Sequence, residues 1–207
     1  RNIWIIKQPV NVGFVRGCNS AFGLTGAKDV VLVNSDVQVG PKWLEGLRDA
    51  AYSSTLVATA TALSNHASIL SVPFKGIPTS TLHGGLKIDE AAQRVSRASV
   101  RSYPSIPVAI GHCVYIKRTI LDLLTGFDEG FGLGYGEEVE FSLRASALGF
   151  VHVCADDVFV FHKGGVSFDT QSDARSFQEE NDTKIKIAYP GYEEMVGKIA
   201  GYKASNL

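Results

Sequence analysis

The sequence predicts an α/β fold: a mostly parallel sheet flanked by helices, built as a single domain. Three observations carry that reading. Val30-Val31-Leu32-Val33 is a short continuous apolar run, the pattern of a strand covered on both faces. A helical stripe follows in Trp43, Leu44, Leu47, Ala50 and Ala51, and then a second apolar segment from Leu56 to Leu63. Strand, helix and strand in that order imply right-handed crossovers. The chain has 207 residues, 45% hydrophobic and 20% charged, enough for one substantial core of ordinary globular composition.

Ile3-Trp4-Ile5-Ile6 reads as a buried strand. Asn11 to Asn19 is a turn feeding a short helix that runs to about Gly23, with Gly26 as its C-terminal cap. The Val30 strand extends to Asn34, and Pro41 opens the next helix, where proline is tolerated. Ser64 to Pro107 carries four prolines and the pair Gly84-Gly85; it reads as long loops around one helix near Asp89 to Val100, the kind of segment that binds or covers ligands. Val108 to Ile116 is a strand interrupted by Gly111 and His112, and Arg118 to Leu124 is a short helix. A glycine-rich stretch from Gly130 to Gly136 leads into a helix from Glu137 to Leu148, closed by Gly149. Two strands follow, Val151 to Cys154 and Val158 to Phe161. An amphipathic helix spans Ser172 to Tyr189, Pro190-Gly191 breaks it, and a last helix lies near Glu193 to Tyr202.

A net charge of −1 gives no broad attraction to nucleic acid or to an acidic membrane. No apolar stretch is long enough to cross a bilayer, and no signal peptide is visible at the start. Cys18, Cys113 and Cys154 are widely spaced, without a CxxC pair; they read as small core or loop thiols in a reducing compartment. The expected location is cytoplasmic, with placement at the inner face of a membrane left open. Because the chain opens on Arg1, it is expected to be processed, trimmed or cut from a longer protein.

Three positions offer chemistry. Asp36 directly follows a predicted parallel strand, and ligands in open α/β sheets bind outside the carboxyl ends of strands. A carboxylate there can hold Mg²⁺ or Mn²⁺; the alternative is a turn aspartate bonding its own backbone. Glu137 and Glu138 open a helix, where the macrodipole favours the ionised form and a charged carboxylate can take a proton from a hydroxyl. The alternative there is simple dipole compensation. Glu140 and Arg144, spaced i,i+4, read as a surface pair. His162 ends a strand before Gly164-Gly165 and could be a further metal ligand, or a structural histidine. His66, His83, His112 and His152 show no ligand spacing.

In order along the chain, these segments resemble the family 2 glycosyltransferases of the GT-A fold, Rossmann-like in layout, and most closely the rhamnosyltransferase-like and galactofuranosyltransferase-like branch. Asn11-Val12-Gly13-Phe14 with Asn19 is similar to the family's segment near the nucleotide. Val33-Asn34-Ser35-Asp36 resembles its variant of the D-x-D motif. Gly111 to Gly149, with Gly126-Phe127-Asp128-Glu129 and Glu137-Glu138, resembles its long central block. Phe161-His162-Lys163-Gly164-Gly165 resembles its terminal H-x-G-G element. The likeness covers roughly residues 3 to 190.

The resemblance implies a metal-dependent, inverting transfer of a sugar from a nucleotide-diphosphate donor to a hydroxyl of a glycan or lipid-linked acceptor, as in polysaccharide or cell-surface glycan synthesis. It places Asn11, Gly13, Asn19, Asn34 and Asp36 at the donor, Asp36 and His162 on Mn²⁺ or Mg²⁺, and Glu138, beside Glu137, as the base on the acceptor. The family usually carries Asp where this chain has Glu138. Its opening strand-helix unit would precede Arg1, so residues 1–190 are expected to form an N-terminally incomplete GT-A domain and 191–207 a helical extension, with additional domains of a longer chain open. Two other readings stand beside this one: a non-catalytic remnant that binds sugar nucleotides or acts as a scaffold, and a metal-dependent phosphohydrolase.

Overall fold

In a computed structural model, the structure describes residues 3–164 and 171–200. Six strands form one sheet: β1 (Val30–Val33), β2 (Val37–Val39), β3 (Val57–Ser64), β4 (Ser105–Ile106), β5 (Cys113–Ile116) and β6 (Val151–His162). The helices are α1 (Gly13–Leu24), α2 (Trp43–Ala51), α3 (Ile88–Ala98), α4 (Arg118–Leu124), α5 (Glu137–Ala147), α6 (Gln171–Ala188) and α7 (Tyr192–Ala200). The spatial order is β1-β5-β3-β6-β2, with β4 also on β6.

The expected α/β domain forms, with helices on both faces, and its sheet is mixed rather than mostly parallel. β3 and β6 are parallel neighbours, whereas β1·β5, β3·β5, β2·β6 and β4·β6 are antiparallel. The strand-helix-strand order correctly sets β1, β3 and β6 running one way. What it does not reveal is that β5 returns between β1 and β3 and separates two strands that would otherwise be parallel neighbours. Alternation along β5 divides the core in two. Val114 and Ile116 join Val15, Phe22, Ile120 and Phe141 beneath α1, α4 and α5, while Cys113 and Tyr115 join Leu47, Ala50 and Ala51 of α2 on the other face. Cys18, Cys113 and Cys154 are buried free thiols.

Several local expectations change. Ile3-Trp4-Ile5-Ile6 is not a buried strand: no described strand pairs with it, and its residues are 88%, 84%, 90% and 52% exposed. An apolar run becomes a strand only where a sheet edge accepts its N–H and C=O groups. Val108–Ile110 packs into the core without strand pairing, and Ala109 N–H donates instead to Ser142 Oγ at 3.0 Å. The two strands expected between Val151 and Phe161 are one, β6. Asp156, Asp157 and Val158 bulge out between the pairs Ala62↔Ala155 and Leu63↔Phe159. β2 was hidden because Val37-Gln38-Val39 is short; it pairs with the end of β6. Tyr192 and Met195 of α7 pack against the main core. Gly165 and Tyr202 lie outside the described residues.

Candidate functional site

The sheet's directions decide which residues meet. β1, β3 and β6 run together, so the chain leaves all three at one edge, at Asp36, His66 and His162. β5 runs oppositely, so His112, at its start, lies at that same edge.

Asp36 sits on the tight turn between β1 and β2, closed by Val37 N–H to Asn34 O at 3.0 Å. Asn34 N–H donates to His112 O at 3.0 Å, which fixes the turn to the start of β5. After β6 the chain is strapped to Asp36: Lys163 N–H donates to its carbonyl at 3.1 Å and Gly164 N–H to Oδ2 at 3.0 Å. Gly164 is left-handed (φ +73°), and a Cβ there would lie 2.8 Å from the His66 ring, so only glycine fits.

Asp36 Oδ1 lies 3.3 Å from His162 Nε2, and the two side chains are 9% and 13% exposed. His162 Nδ1 is 2.7 Å from His66 O. A carbonyl only accepts, so Nδ1 carries a proton, and in the Nδ1–H tautomer Nε2 presents its lone pair to Asp36. Asp36 Oδ1 is buried and accepts no hydrogen bond among the described residues. In that tautomer two acceptors face each other, and a cation between them satisfies both. A hard divalent ion bound at about 2.1 Å by each donor in adjacent octahedral positions holds those donors about 3 Å apart. The observed spacing fits. Among the described residues no cluster of three or more His, Cys, Asp or Glu is arranged to hold a metal. The pair would leave most coordination positions for substrate oxygens and water.

Two histidines that carried no sequence signal surround His162. His66 meets it edge-on at 5.5 Å between ring centroids, and His112 stacks on it at 5.7 Å and 19°. His112 Nε2 lies 3.0 Å from Ala62 O and so donates to it. Burial, with the neighbouring His162, lowers the His112 pKa to about 3, so this ring stays neutral. Their common signal is position: both flank strands at the edge where Asp36 and His162 lie.

Glu137 and Glu138 open α5 after Gly136. Backbone N–H groups, that of Gly111 among them, lie near the Glu138 carboxylate, and the Glu137 carboxyl is its neighbour; Glu137 Oε2 and Glu138 Oε2 are both buried with no hydrogen-bond partner among the described residues. Burial raises the pKa of Glu138, and the N–H groups oppose that rise. Burial, and then the charge of Glu138, push Glu137 up to about 8. Each carboxyl therefore holds a proton more tightly than an exposed one, and the charge of Glu138 adds to the effect at Glu137. Gly111 touches Glu138, and the next residue, His112, stacks on His162. Gly111 and His112, adjacent in sequence, thus lie one beside the carboxylate pair and the other against His162.

The remaining candidates divide. Asn11 Oδ1 accepts Gly13 N–H at 2.9 Å, and Phe14 N–H donates to Leu133 O at 2.9 Å, which sets this segment against the glycine-rich loop leading to Glu137. Gly13 (φ +78°) has no room for a Cβ, which would lie 2.9 Å from Leu133 Cα. Asn19 is engaged elsewhere: its Nδ2 donates to Phe127 O and its Oδ1 accepts Phe127 N–H, each at 2.9 Å. It fastens the Phe127 backbone to α1. Glu140 and Arg144 pair at 2.6 Å, but as a largely buried unit rather than a surface one; the guanidinium also donates to Leu124 O and Gly126 O. A separate cleft of about 500 Å³, floored by Gln38 and Phe161, lies beside the β2–β6 ladder.

No family model matches this chain, and no curated protein sequence matches it either. Among solved structures the chain is similar to the crystal structure of GalNAc-T7 with UDP, GalNAc and Mn²⁺, at a TM-score of 0.56 and 14% identity. The match covers 91% of this chain and 39% of that one, so the chain spans about two-fifths of that protein's length. With the mixed sheet and its flanking helices, this likeness places the chain in the GT-A type of α/β fold.

Proposed function

We propose that this chain is the core of a metal-dependent, inverting glycosyltransferase of the family 2 type, in the rhamnosyltransferase-like and galactofuranosyltransferase-like branch. It would move a sugar from a nucleotide diphosphate to a hydroxyl of a glycan or lipid-linked acceptor. The observation that supports this reading is the facing pair of Asp36 Oδ1 and His162 Nε2, with Glu138 beside Gly111, one residue before His112. The UDP and Mn²⁺ in the similar GalNAc-T7 structure direct the choice of test ligands.

Asp36 and His162 would hold Mn²⁺ or Mg²⁺. Such an ion supplies positive charge to the leaving diphosphate, a contribution of several kcal/mol. Asn34 and the Asn11–Gly13 segment border the space for the donor. Glu138 takes the proton of the acceptor hydroxyl as its oxygen bonds to the anomeric carbon and the bond from that carbon to the diphosphate oxygen breaks. Attack from the face opposite the leaving group inverts the carbon. Glu137 keeps a proton on the pair while Glu138 is ionised, and the elevated pKa of Glu138 makes it a stronger base than an exposed carboxylate. Holding the two substrates in line supplies much of the remaining acceleration. No described helix is long and apolar enough to cross a membrane. The free cysteines fit a reducing, cytoplasmic setting, with a lipid-linked acceptor reached at the membrane face.

Calorimetric titration with a panel of nucleotide sugars, with and without Mn²⁺, tests the proposal. Asp36→Ala abolishes the metal-dependent part of donor binding. Unchanged donor affinity in that variant removes the assigned metal role.

A further inference from the structure

We propose that Asn65 is a positioning residue for His162: its carboxamide holds the imidazole in the tautomer that presents Nε2 to Asp36. This rests on the metal reading above and names what sustains it.

Asn65 is 1% exposed and follows the last residue of β3. The parallel ladder between β3 and β6 ends at Ser64↔Val160, so His162 has no β3 partner. The Asn65 side chain takes that place. His162 N–H donates to Oδ1 at 2.8 Å, and Nδ2 donates to His162 O at 2.9 Å. The second Nδ2 proton goes to Thr79 O, while Thr79 N–H donates to Asn65 O at 2.9 Å. The amide orientation is fixed by chemistry, since a peptide N–H only donates and two carbonyls only accept. Asparagine satisfies all three partners. Aspartate would set an oxygen against two carbonyls, and alanine would leave an N–H and two carbonyls unpaired.

The backbone clamp has a consequence at the ring. The next residue, His66, offers the carbonyl that takes the Nδ1 proton. Asn65 and His66 together therefore fix the His162 main chain and its proton. Without the clamp the ring is free to carry its proton on Nε2. That nitrogen, 3.3 Å from Asp36 Oδ1, would then donate to it and close the cation position with an internal hydrogen bond. Groups that hold a ligating histidine from behind typically change metal affinity 10–100-fold when lost.

Two measurements test this on the intact chain. Long-range ¹H–¹⁵N correlation on the metal-free protein, with the His162 signals assigned by their loss in His162→Ala, reads the tautomer. Titration with Mn²⁺ alone, followed by electron paramagnetic resonance, reads affinity. Wild-type protein shows the Nδ1–H form; folded Asn65→Ala shifts toward Nε2–H and binds Mn²⁺ roughly 10–100-fold more weakly. Asn65→Ser, which puts one hydroxyl in place of the carboxamide, serves if the alanine variant does not fold. A folded variant that keeps the wild-type tautomer and affinity overturns the proposal, as does an Nε2–H form in the wild type. Wild-type protein that binds no Mn²⁺ sinks the metal reading alone, because the tautomer still decides the part played by Asn65.

Discussion

Glu138 and Glu140 stand two residues apart on α5, yet one carboxylate is matched by a cation and the other is not. Glu140 receives Arg144 at 2.6 Å, and the guanidinium continues to Leu124 O and Gly126 O. Among the described residues no cation pairs with Glu138; backbone N–H groups and the Glu137 carboxyl are its neighbours. The first arrangement neutralises charge and knits α5 to the end of α4. The second leaves the carboxyl without a neutralising cation, the condition a proton acceptor needs. Charge at a helix start says little; the partner that folding supplies decides the use.

The largest break in this contrast comes from Glu138→Gln. Transfer falls roughly 10²–10⁴-fold, the usual contribution of a general base, while calorimetric donor affinity stays near wild type. Equal loss of activity and donor binding would move Glu138 out of the base role. On the other side, Arg144→Ala destabilises the fold by about 3 kcal/mol in urea unfolding, since it strips a cation from buried Glu140 and from two carbonyls. A change near zero would mean that the pair is an ordinary surface bridge.

The sharpest effect concerns Glu137. Its pKa stands at about 8 in the fold against an ordinary 4.5, so the folded chain keeps a proton that the unfolded chain releases. Unfolding stability is therefore full below about pH 4.5 and falls as pH rises toward about 8, by an amount on the order of a few kcal/mol. Glu137→Gln, which mimics the protonated carboxyl, flattens that slope and raises stability at pH 8. Parallel slopes in the two proteins would show that Glu137 carries no such proton.

Much of the layout was legible because local chemistry agreed with the global fold. The stripe Leu47, Ala50, Ala51 specified α2, and Arg118 to Leu124 specified α4 within its observed bounds. Ile3 to Ile6 misled because apolar composition does not state whether an edge is available. The insertion of β5 between β1 and β3 was hidden because sequence order carries no record of which strand returns where. At the site, Asp36, His162 and Glu138 stood out by strand and helix ends. His66, His112 and Asn65 did not, since their importance lies in hydrogen bonds and ring contacts between segments far apart in sequence. Asn19 matched a motif, yet its amide is consumed by the Phe127 backbone.

The loop before α5 is buckled from the far end of the chain. Asn181 of α6, 2% exposed, donates to Phe131 O, Gly134 O and Tyr135 O, and Lys184 Nζ donates to Gly130 O. A ribosome therefore releases every candidate for the chemistry before it releases the fastener that seats Glu137 and Glu138. A chain that stopped between residues 163 and 180 would carry Asp36, Glu138 and His162 and lack the side chain that fastens the loop ahead of α5.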